Sequence, residues 1–207
     1  SQQEMNLKQI KADFQNKNRT RILSKIIRKS NNISSGLSIE SWIEEIGECL
    51  LEHKKAKSFH IILEDYFNPL RINSCEVKDD LVVPARLLVM EDHFKIELKN
   101  YKKTNIPLQR FYIAHEIAHT YFYRFENNCL IDNRTFNEGS SEIEYLCNRI
   151  ARSILMPKSK LEQVIKKFKL PENDSFSLNY INILCSKFKV NHQVVLNRLI
   201  NDTSLWN

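Results

Sequence analysis

Two histidines and a glutamate lie within five consecutive residues near the middle of the chain. His115, Glu116 and His119 form the pattern His-Glu-x-x-His inside a segment, 107–123, whose apolar residues recur every three or four positions. That spacing predicts a helix in which both histidines share one face and Glu116 projects about 100° further round. Two such imidazoles can share a tetrahedral zinc ion, with the carboxylate beside the open coordination position as a general base.

A catalytic zinc takes a third ligand from the protein and leaves its fourth position to water. A second helix is predicted at 141–156, where an apolar stripe runs as far as Pro157. Glu144 and Asn148 lie one turn apart beside that stripe, so Glu144 can reach the metal while Asn148 holds a ligand imidazole. On spacing alone, three other glutamates compete for the ligand role: Glu126, Glu138 and Glu142.

The two segments together resemble the signatures of the ImmA/IrrE metallopeptidase family. Arg-Phe-Tyr-Ile-Ala-His-Glu-Ile-Ala-His occupies 110–119, and Glu-Tyr-Leu-Cys-Asn-Arg-Ile-Ala-Arg-Ser-Ile-Leu-Met-Pro occupies 144–157. The leading Glu of the family's second signature is its third zinc ligand, which the resemblance assigns to Glu144. The chain departs from the family pattern mainly on the packing face of the second helix and near the end of the first, at Cys147, Ile150, Ile154, Ala118 and Tyr123.

The resemblance covers about 38–200 and implies a fold, an activity and a partner. The fold is α+β, a zincin-like minimal metallopeptidase domain with a small sheet, an active-site helix and a C-terminal helical subdomain. The implied activity is that of a cytoplasmic zinc endopeptidase that cuts a helix-turn-helix transcriptional repressor and so switches on a stress, mobile-element or prophage response. His115, His119 and Glu144 would hold Zn²⁺, and Glu116 would move the proton.

Patterning along the chain predicts the elements around these helices. A helix is expected from Ser38 or Ser41 to about Lys55, followed by a strand block at about 59–98 and by C-terminal helices at about 158–201. The strands are placed at 59–63, 71–77, 81–90 and 93–98, with Glu91 and Asp92 as a hairpin turn. By analogy with zincins, a substrate peptide would pair with the strand at 81–90 or 93–98.

The charge of the chain is concentrated at its start. The net charge is +6, and 1–30 hold eight Lys or Arg against two acidic residues, so that 31–207 sum to zero. We therefore predict a basic helical arm at 1–35 before the metallopeptidase domain at 36–207. Such an arm is either a solvated helix face or a contact for nucleic acid or an acidic partner.

Composition excludes several classes of protein. The chain has 207 residues, 42% of them hydrophobic, with three Gly and five Pro, which excludes disordered, collagen-like and proline-rich architectures. Its apolar runs are too short to span a membrane, and 1–30 lack the apolar block of a secretory signal, so a cytoplasmic location is expected. Five widely spaced cysteines without a Cys-x-x-Cys pair are expected to be reduced core residues.

Several roles and rival functions stay open at this level. Six side chains have suitable chemistry to stabilise the oxyanion: Tyr112, Tyr121, Tyr123, Arg149, Arg152 and His192. The helix pair 177–188 and 191–201 resembles a helix-turn-helix, so a DNA-binding regulator is one rival, although Arg198 is the only basic residue of its second helix. A deformylase-like hydrolase using Cys75, and an adaptor that keeps the zinc site without efficient proteolysis, are the others.

Overall fold

The computed structural model describes residues 39–48, 58–100, 105–132, 141–169 and 177–202. The fold is α+β, as predicted. In these residues six α-helices accompany a three-stranded sheet and a separate two-stranded hairpin. The helices are α1 (Ile39–Glu48), α2 (Ile106–His119), α3 (Ser141–Leu155), α4 (Lys158–Lys167), α5 (Leu178–Phe188) and α6 (His192–Ile200). The strands are β1 (Ile72–Lys78), β2 (Ala85–Val89), β3 (Phe94–Lys99), β4 (Tyr123–Glu126) and β5 (Cys129–Asp132).

The three-stranded sheet has the order β1-β3-β2, with β3 in the centre. β1 runs parallel to β3, and β2 runs antiparallel to it through the predicted hairpin, whose loop is closed by the Met90 N–H donating to the His93 carbonyl at 2.9 Å. The alternating residues Phe94, Ile96 and Leu98 are buried on one face, where the sheet meets α2. β2 is thereby left as the edge strand nearest α2.

Helix α3 lies in the middle of the helical layer and packs against both α1 and α2. The crossing with α1 is close, because a Cβ on Gly47 would come within 2.4 Å of the Ser153 carbonyl oxygen. Ser153 also donates its hydroxyl to the Ile43 carbonyl at 2.7 Å. Only glycine permits this approach, which fixes the position of the helix that carries Glu144.

The predicted strand at 59–63 is wrong. The structure has bends at 58–60 and a short 3₁₀ turn at Leu63–Tyr66. Two carbonyls of this segment accept hydrogen bonds that do not belong to a sheet. The Ile62 carbonyl accepts from the Asp65 N–H at 3.1 Å, and the Ile61 carbonyl accepts from the Arg110 guanidinium at 2.8 Å. The strand predicted at 81–90 is real but shorter, since it begins only after Pro84, which has no N–H to donate to a ladder.

The active-site helix ends four residues earlier than predicted. α2 stops at His119, where Thr120 donates its hydroxyl to the Ile117 carbonyl and the chain tightens into a 3₁₀ turn at Thr120–Phe122. β4 and β5 then form a hairpin in a stretch where only helices were expected. Its two-residue loop is Asn127-Asn128, both with positive φ (51° and 62°), which suits the type I′ turn that Asn favours.

The remaining helices agree with the sequence. α3 spans the predicted segment, and α5 and α6 are joined by a short turn at whose end Asn191 caps α6 by accepting from the Val194 N–H at 2.9 Å. The arm at 1–35, its boundary with 36–207, and the end of the first helix near Lys55 lie outside the described residues and stay predictions. No helix in the described part of the chain is long and apolar enough to cross a membrane.

Candidate metal centre

Three side chains from two helices meet at the floor of a groove beside β2. His115 Nε2 and His119 Nε2 are 3.1 Å apart, and the Glu144 carboxylate lies 3.0 Å from the first and 3.2 Å from the second. Donor atoms of a tetrahedral zinc with bonds of about 2.0–2.1 Å are about 3.3 Å apart. The two imidazole nitrogens and the carboxylate, which meets His115 through Oε2 and His119 through Oε1, therefore have nearly the spacing that a shared zinc ion requires.

Asn148 fixes the orientation of the first imidazole. Its side-chain Oδ1 lies 2.8 Å from His115 Nδ1, so the ring donates Nδ1–H to the amide. In the neutral tautomer this leaves the lone pair of His115 Nε2 directed at His119 Nε2 and the Glu144 carboxylate. Lone pairs that face one another at these distances repel unless a cation or a proton lies between them, so the donor set suits a metal ion.

The two carboxylates of the site have opposite electrostatic character. When the imidazoles are protonated, hydrogen bonds from His115 and His119 hold the pKa of Glu144 well below its usual range. Glu116 is 7% exposed, and burial raises its pKa even though both histidines and the Leu87 backbone N–H act in the opposite direction. Burial disfavours protonation of His115, but its pKa is raised because Glu144 and Glu116 outweigh that effect. Glu144 thus has the character of a ligand and Glu116 that of a proton acceptor.

A groove of about 570 Å³ runs between β2 and the two helices. Apolar side chains line most of it, and Glu116, His115 and His119 lie at its floor. Ligand atoms of these three residues lie within 4.8 Å of one another. The groove is therefore large enough for a peptide segment and reaches the candidate metal ligands.

The open backbone edge of this groove belongs to β2 and not to β3. The segment at 93–98 is the central strand and is paired on both sides, so it cannot accept a peptide. The Lys99 N–H donates to the Pro84 carbonyl, and the Met90 N–H donates to the His93 carbonyl. Because alternate residues of an antiparallel strand bond to its partner, the backbone N–H and C=O groups of the even-numbered residues of β2 face β3. Ala85, Leu87 and Val89 therefore present their backbone groups to the groove, a feature that only the sheet register reveals.

Of the three competing glutamates only Glu126 has a described side chain, and it does not line the groove. Glu126 is exposed at the end of β4. Glu138 and the side chain of Glu142 lie outside the described residues. His115, Glu116, His119 and Glu144 are brought together as the sequence reasoning expected, and their roles as ligands and base stay predictions.

The six candidates for oxyanion stabilisation divide by position. Tyr112 and Tyr123 line the groove, whereas Tyr121 is 1% exposed in the core and His192 pairs with Asn182 on the C-terminal helices. Arg149 and Arg152 both point at Asp202, with nitrogen–oxygen distances of 3.0 Å. Tyr112 and Tyr123 are therefore the candidates with access to a substrate.

Arg149, Arg152 and Asp202 belong to a buried ion cluster that also includes Arg198 and Glu44. Arg198 is fully buried and donates two hydrogen bonds of 2.6 Å to Glu44, and it lies 3.4 Å from Asp202. The cluster joins α1, α3 and α6. It also removes the only basic side chain of α6 from the surface, which counts against base readout by that helix.

Cys75 is far from the groove. It lies on β1, the edge strand on the other side of β3, and packs against the core. Burial and the nearby Glu64 raise the pKa of its thiol to about 11, which disfavours the thiolate that a metal needs. The deformylase-like alternative therefore lacks its cysteine ligand. Among the described residues Cys75, Cys129, Cys147 and Cys185 are free thiols, but only Cys147 is a core residue; Cys75 and Cys185 pack against the core, and Cys129 is partly exposed on β5.

Comparison with known families identifies a metallopeptidase domain in the part of the chain that contains the candidate metal centre. Residues 105–199, the stretch from the start of α2 to the end of α6, match the Peptidase_M78 family model, described as the IrrE N-terminal-like domain. A search of curated proteins gave no match to this chain. The matched stretch includes both helices of the candidate metal centre, and it confirms the resemblance stated from the two signatures. Residues 105–199 are therefore similar to the IrrE N-terminal-like domain of ImmA/IrrE-type metallopeptidases.

Proposed function

We propose that this protein is a zinc-dependent endopeptidase that cleaves a protein partner with a DNA-binding helix-turn-helix, as a transcriptional repressor has. The observation that carries the enzymatic part is the meeting of His115 Nε2, His119 Nε2 and the Glu144 carboxylate at 3.0–3.2 Å beside the buried Glu116. The substrate class rests on the ImmA/IrrE resemblance alone.

Zinc fits the donor set, and His115, His119 and Glu144 would hold it. A zinc ion bound there would polarise the scissile carbonyl and acidify a water molecule. Glu116 takes the proton of the attacking water as its oxygen bonds to the carbonyl carbon, and then delivers that proton to the leaving amine as the C–N bond breaks. Asn148 keeps His115 in the tautomer that leaves Nε2 free for the metal.

The edge of β2 supports an extended substrate. A peptide that pairs with Ala85 and Val89 adds one strand to the sheet, and its backbone then crosses the floor of the groove near Glu116. The apolar walls, including Val83 and Phe111, favour apolar side chains on either side of the scissile bond. Tyr112 or Tyr123 would donate to the oxyanion as it forms.

Proteolysis of defined partners tests this function. The zinc-loaded chain is incubated with purified helix-turn-helix repressors encoded near its own gene, and the products are identified by mass spectrometry. We expect one specific cleavage that stops when a chelator is added and returns with zinc. Glu116→Gln is the matched control, because it should bind zinc and leave the partner intact. Cleavage that persists in Glu116→Gln, or no cleavage of repressors or of a peptide library, would contradict the proposal.

A further inference from the structure

A cluster of lysines lies outside the groove, where two helices end side by side. This lysine patch consists of Lys166, Lys167 and Lys169 at the end of α4 and of Lys187 and Lys189 at the end of α5. All except the half-buried Lys187 are exposed. Within the described part of the chain, none of these five ammonium groups forms an ion pair with a carboxylate. Among the described residues, the patch is therefore a positive surface without a paired carboxylate.

Aromatic rings hold the two halves of the patch together. Lys187 Nζ lies 4.9 Å and Lys167 Nζ 5.8 Å from the centre of the Phe168 ring, and Lys167 also lies over Phe59 at 5.4 Å. Two cations that share one ring repel each other, so an anion between them would lower the electrostatic energy. The positive field extends to His60, whose pKa is lowered by burial and by Lys189 and Arg110.

Helix-end stabilisation alone does not account for these residues. Lysine in a last turn interacts favourably with the helix dipole, and Lys166, Lys167 and Lys187 are in such positions. Lys169 and Lys189, however, have left-handed φ values of 49° and 53°, where glycine is the usual residue and a side chain costs about 1 kcal/mol. Two of the five lysines therefore occupy positions where the backbone conformation favours glycine.

The turn that carries Lys189 leads directly into α6. Its N-terminus, capped by Asn191, exposes the first turn of a helix next to the lysines. Backbone N–H groups at a helix N-terminus attract phosphate oxygens, and flexible lysines neutralise phosphates as point charges. The only basic side chain of α6 is buried with Glu44, so this surface suits the sugar-phosphate backbone and not the edges of the bases.

We propose that the lysine patch binds the phosphate backbone of double-stranded DNA without sequence preference. This surface lies away from the candidate metal centre, since Arg110, which bonds to the Lys189 carbonyl, is in the first half of α2 and the two histidines are in the second half. Binding needs neither metal nor cleavage, so it goes beyond the proposed function. If the peptidase acts on a DNA-bound repressor, the patch holds both proteins on the same duplex.

Fluorescence anisotropy with a random-sequence duplex tests the patch. The full chain is titrated in EDTA from 50 to 200 mM salt, and the slope of log affinity against log salt counts the phosphate contacts. The variant Lys167→Gln/Lys187→Gln/Lys189→Gln should lower that slope by about 2.7 and weaken binding about tenfold or more. The control Lys78→Gln/Lys95→Gln/Lys99→Gln removes the same charge from the outer face of the sheet and should leave the slope unchanged.

Three results would overturn the inference. The first is an equal loss in patch and control variants, which would make the effect one of net charge. The second is unchanged binding in the patch variant together with loss in Lys8→Gln/Lys11→Gln/Lys17→Gln, which would assign DNA contact to the N-terminal segment. The third is a higher affinity for poly-glutamate than for DNA, which would indicate an acidic protein partner. If the triple variant fails to fold, single Lys167→Gln and Lys189→Gln should each lower the slope by about one.

Discussion

Two charged clusters are anchored on α3, and they differ in what balances their charge. In the groove, Glu144 and Glu116 face two imidazoles at the floor of an open cavity. In the buried ion cluster, Glu44 and Asp202 face Arg198, Arg152 and Arg149, and all five side chains are buried. A cluster that supplies its own cations stabilises the fold, whereas one that collects donor atoms beside a cavity is prepared for a cation from outside.

The same helix separates the two roles by its faces. Glu144 and Asn148 point from α3 at the groove, whereas Arg149 and Arg152, on average about 90° further round the helix, point at Asp202. The comparison therefore predicts that substitutions in the groove remove metal and activity and leave stability nearly unchanged. Substitutions in the buried ion cluster should do the reverse.

The largest effect is expected for Glu144→Ala. The variant loses the carboxylate that contacts both imidazoles, so zinc content and peptidase activity should both fall to background while the thermal midpoint of the metal-free protein stays nearly constant. Elemental analysis and calorimetry measure the two quantities. Glu126→Ala, at an exposed position on β4, is the matched control. Full zinc occupancy in Glu144→Ala, with loss in Glu138→Ala or Glu142→Ala, would show that the ligand is wrongly assigned.

Glu116→Gln should separate metal binding from catalysis. Removal of a positioned general base lowers the rate by about 10²–10⁴-fold, and the amide has nearly the shape of the carboxylate, so zinc should stay bound. We expect kcat to fall with little change in KM, in a continuous assay with a peptide from the cleaved partner. Loss of zinc from this variant would contradict the account, because it would make Glu116 a metal ligand and not the general base.

Arg198→Met should act on stability alone. It leaves Glu44 and Asp202 buried without their shared partner, and breaking a buried pair in this way costs about 3–5 kcal/mol of the free energy of unfolding. Denaturant unfolding measures the loss, and kcat per folded molecule should be unchanged. Glu44→Leu/Arg198→Met should recover much of the stability, because a well-packed apolar pair can replace a buried ion pair. A drop in kcat per folded molecule would connect the two clusters and weaken the comparison.

Asn148→Ala should give the smallest effect in this series. The variant loses the acceptor for His115 Nδ1–H but no metal ligand, and such outer contacts are worth about 10–100-fold in metal affinity. Competition with a chromophoric chelator measures the change. Asn148→Asp keeps an acceptor at the same place and should retain the affinity, whereas equal losses in both variants would show that the amide acts by packing and not by orienting the ring.

How much the sequence predicts depends on how local the information is. The spacing of the site residues along two amphipathic helices is local information. It predicts that His115, His119, Glu144 and Asn148 lie together, as they do in the structure. The segment 59–63 is apolar enough for a strand, but its backbone bonds to Arg110, 49 residues away, which no periodicity shows. Pairing of Arg198 with Glu44 joins residues 154 apart and was likewise invisible.

One missed element had a local signal. Asn127-Asn128 directly follows the alternating residues of 123–126 and is a hairpin pattern, which the prediction of helices alone after residue 98 does not include. The choice of β2 as the open edge had no such signal. It depends on the order β1-β3-β2, which follows from packing against α2 and not from any residue of the strands themselves.

The metal content of the purified chain tests the central claim most directly. Protein prepared without chelator is compared with His115→Ala by elemental analysis, with circular dichroism to verify that both are folded. We predict close to one zinc ion per chain in the wild type and none above background in the variant. A folded wild type that binds no metal even after incubation with zinc, or a variant that keeps its zinc, would contradict the assignment of this site.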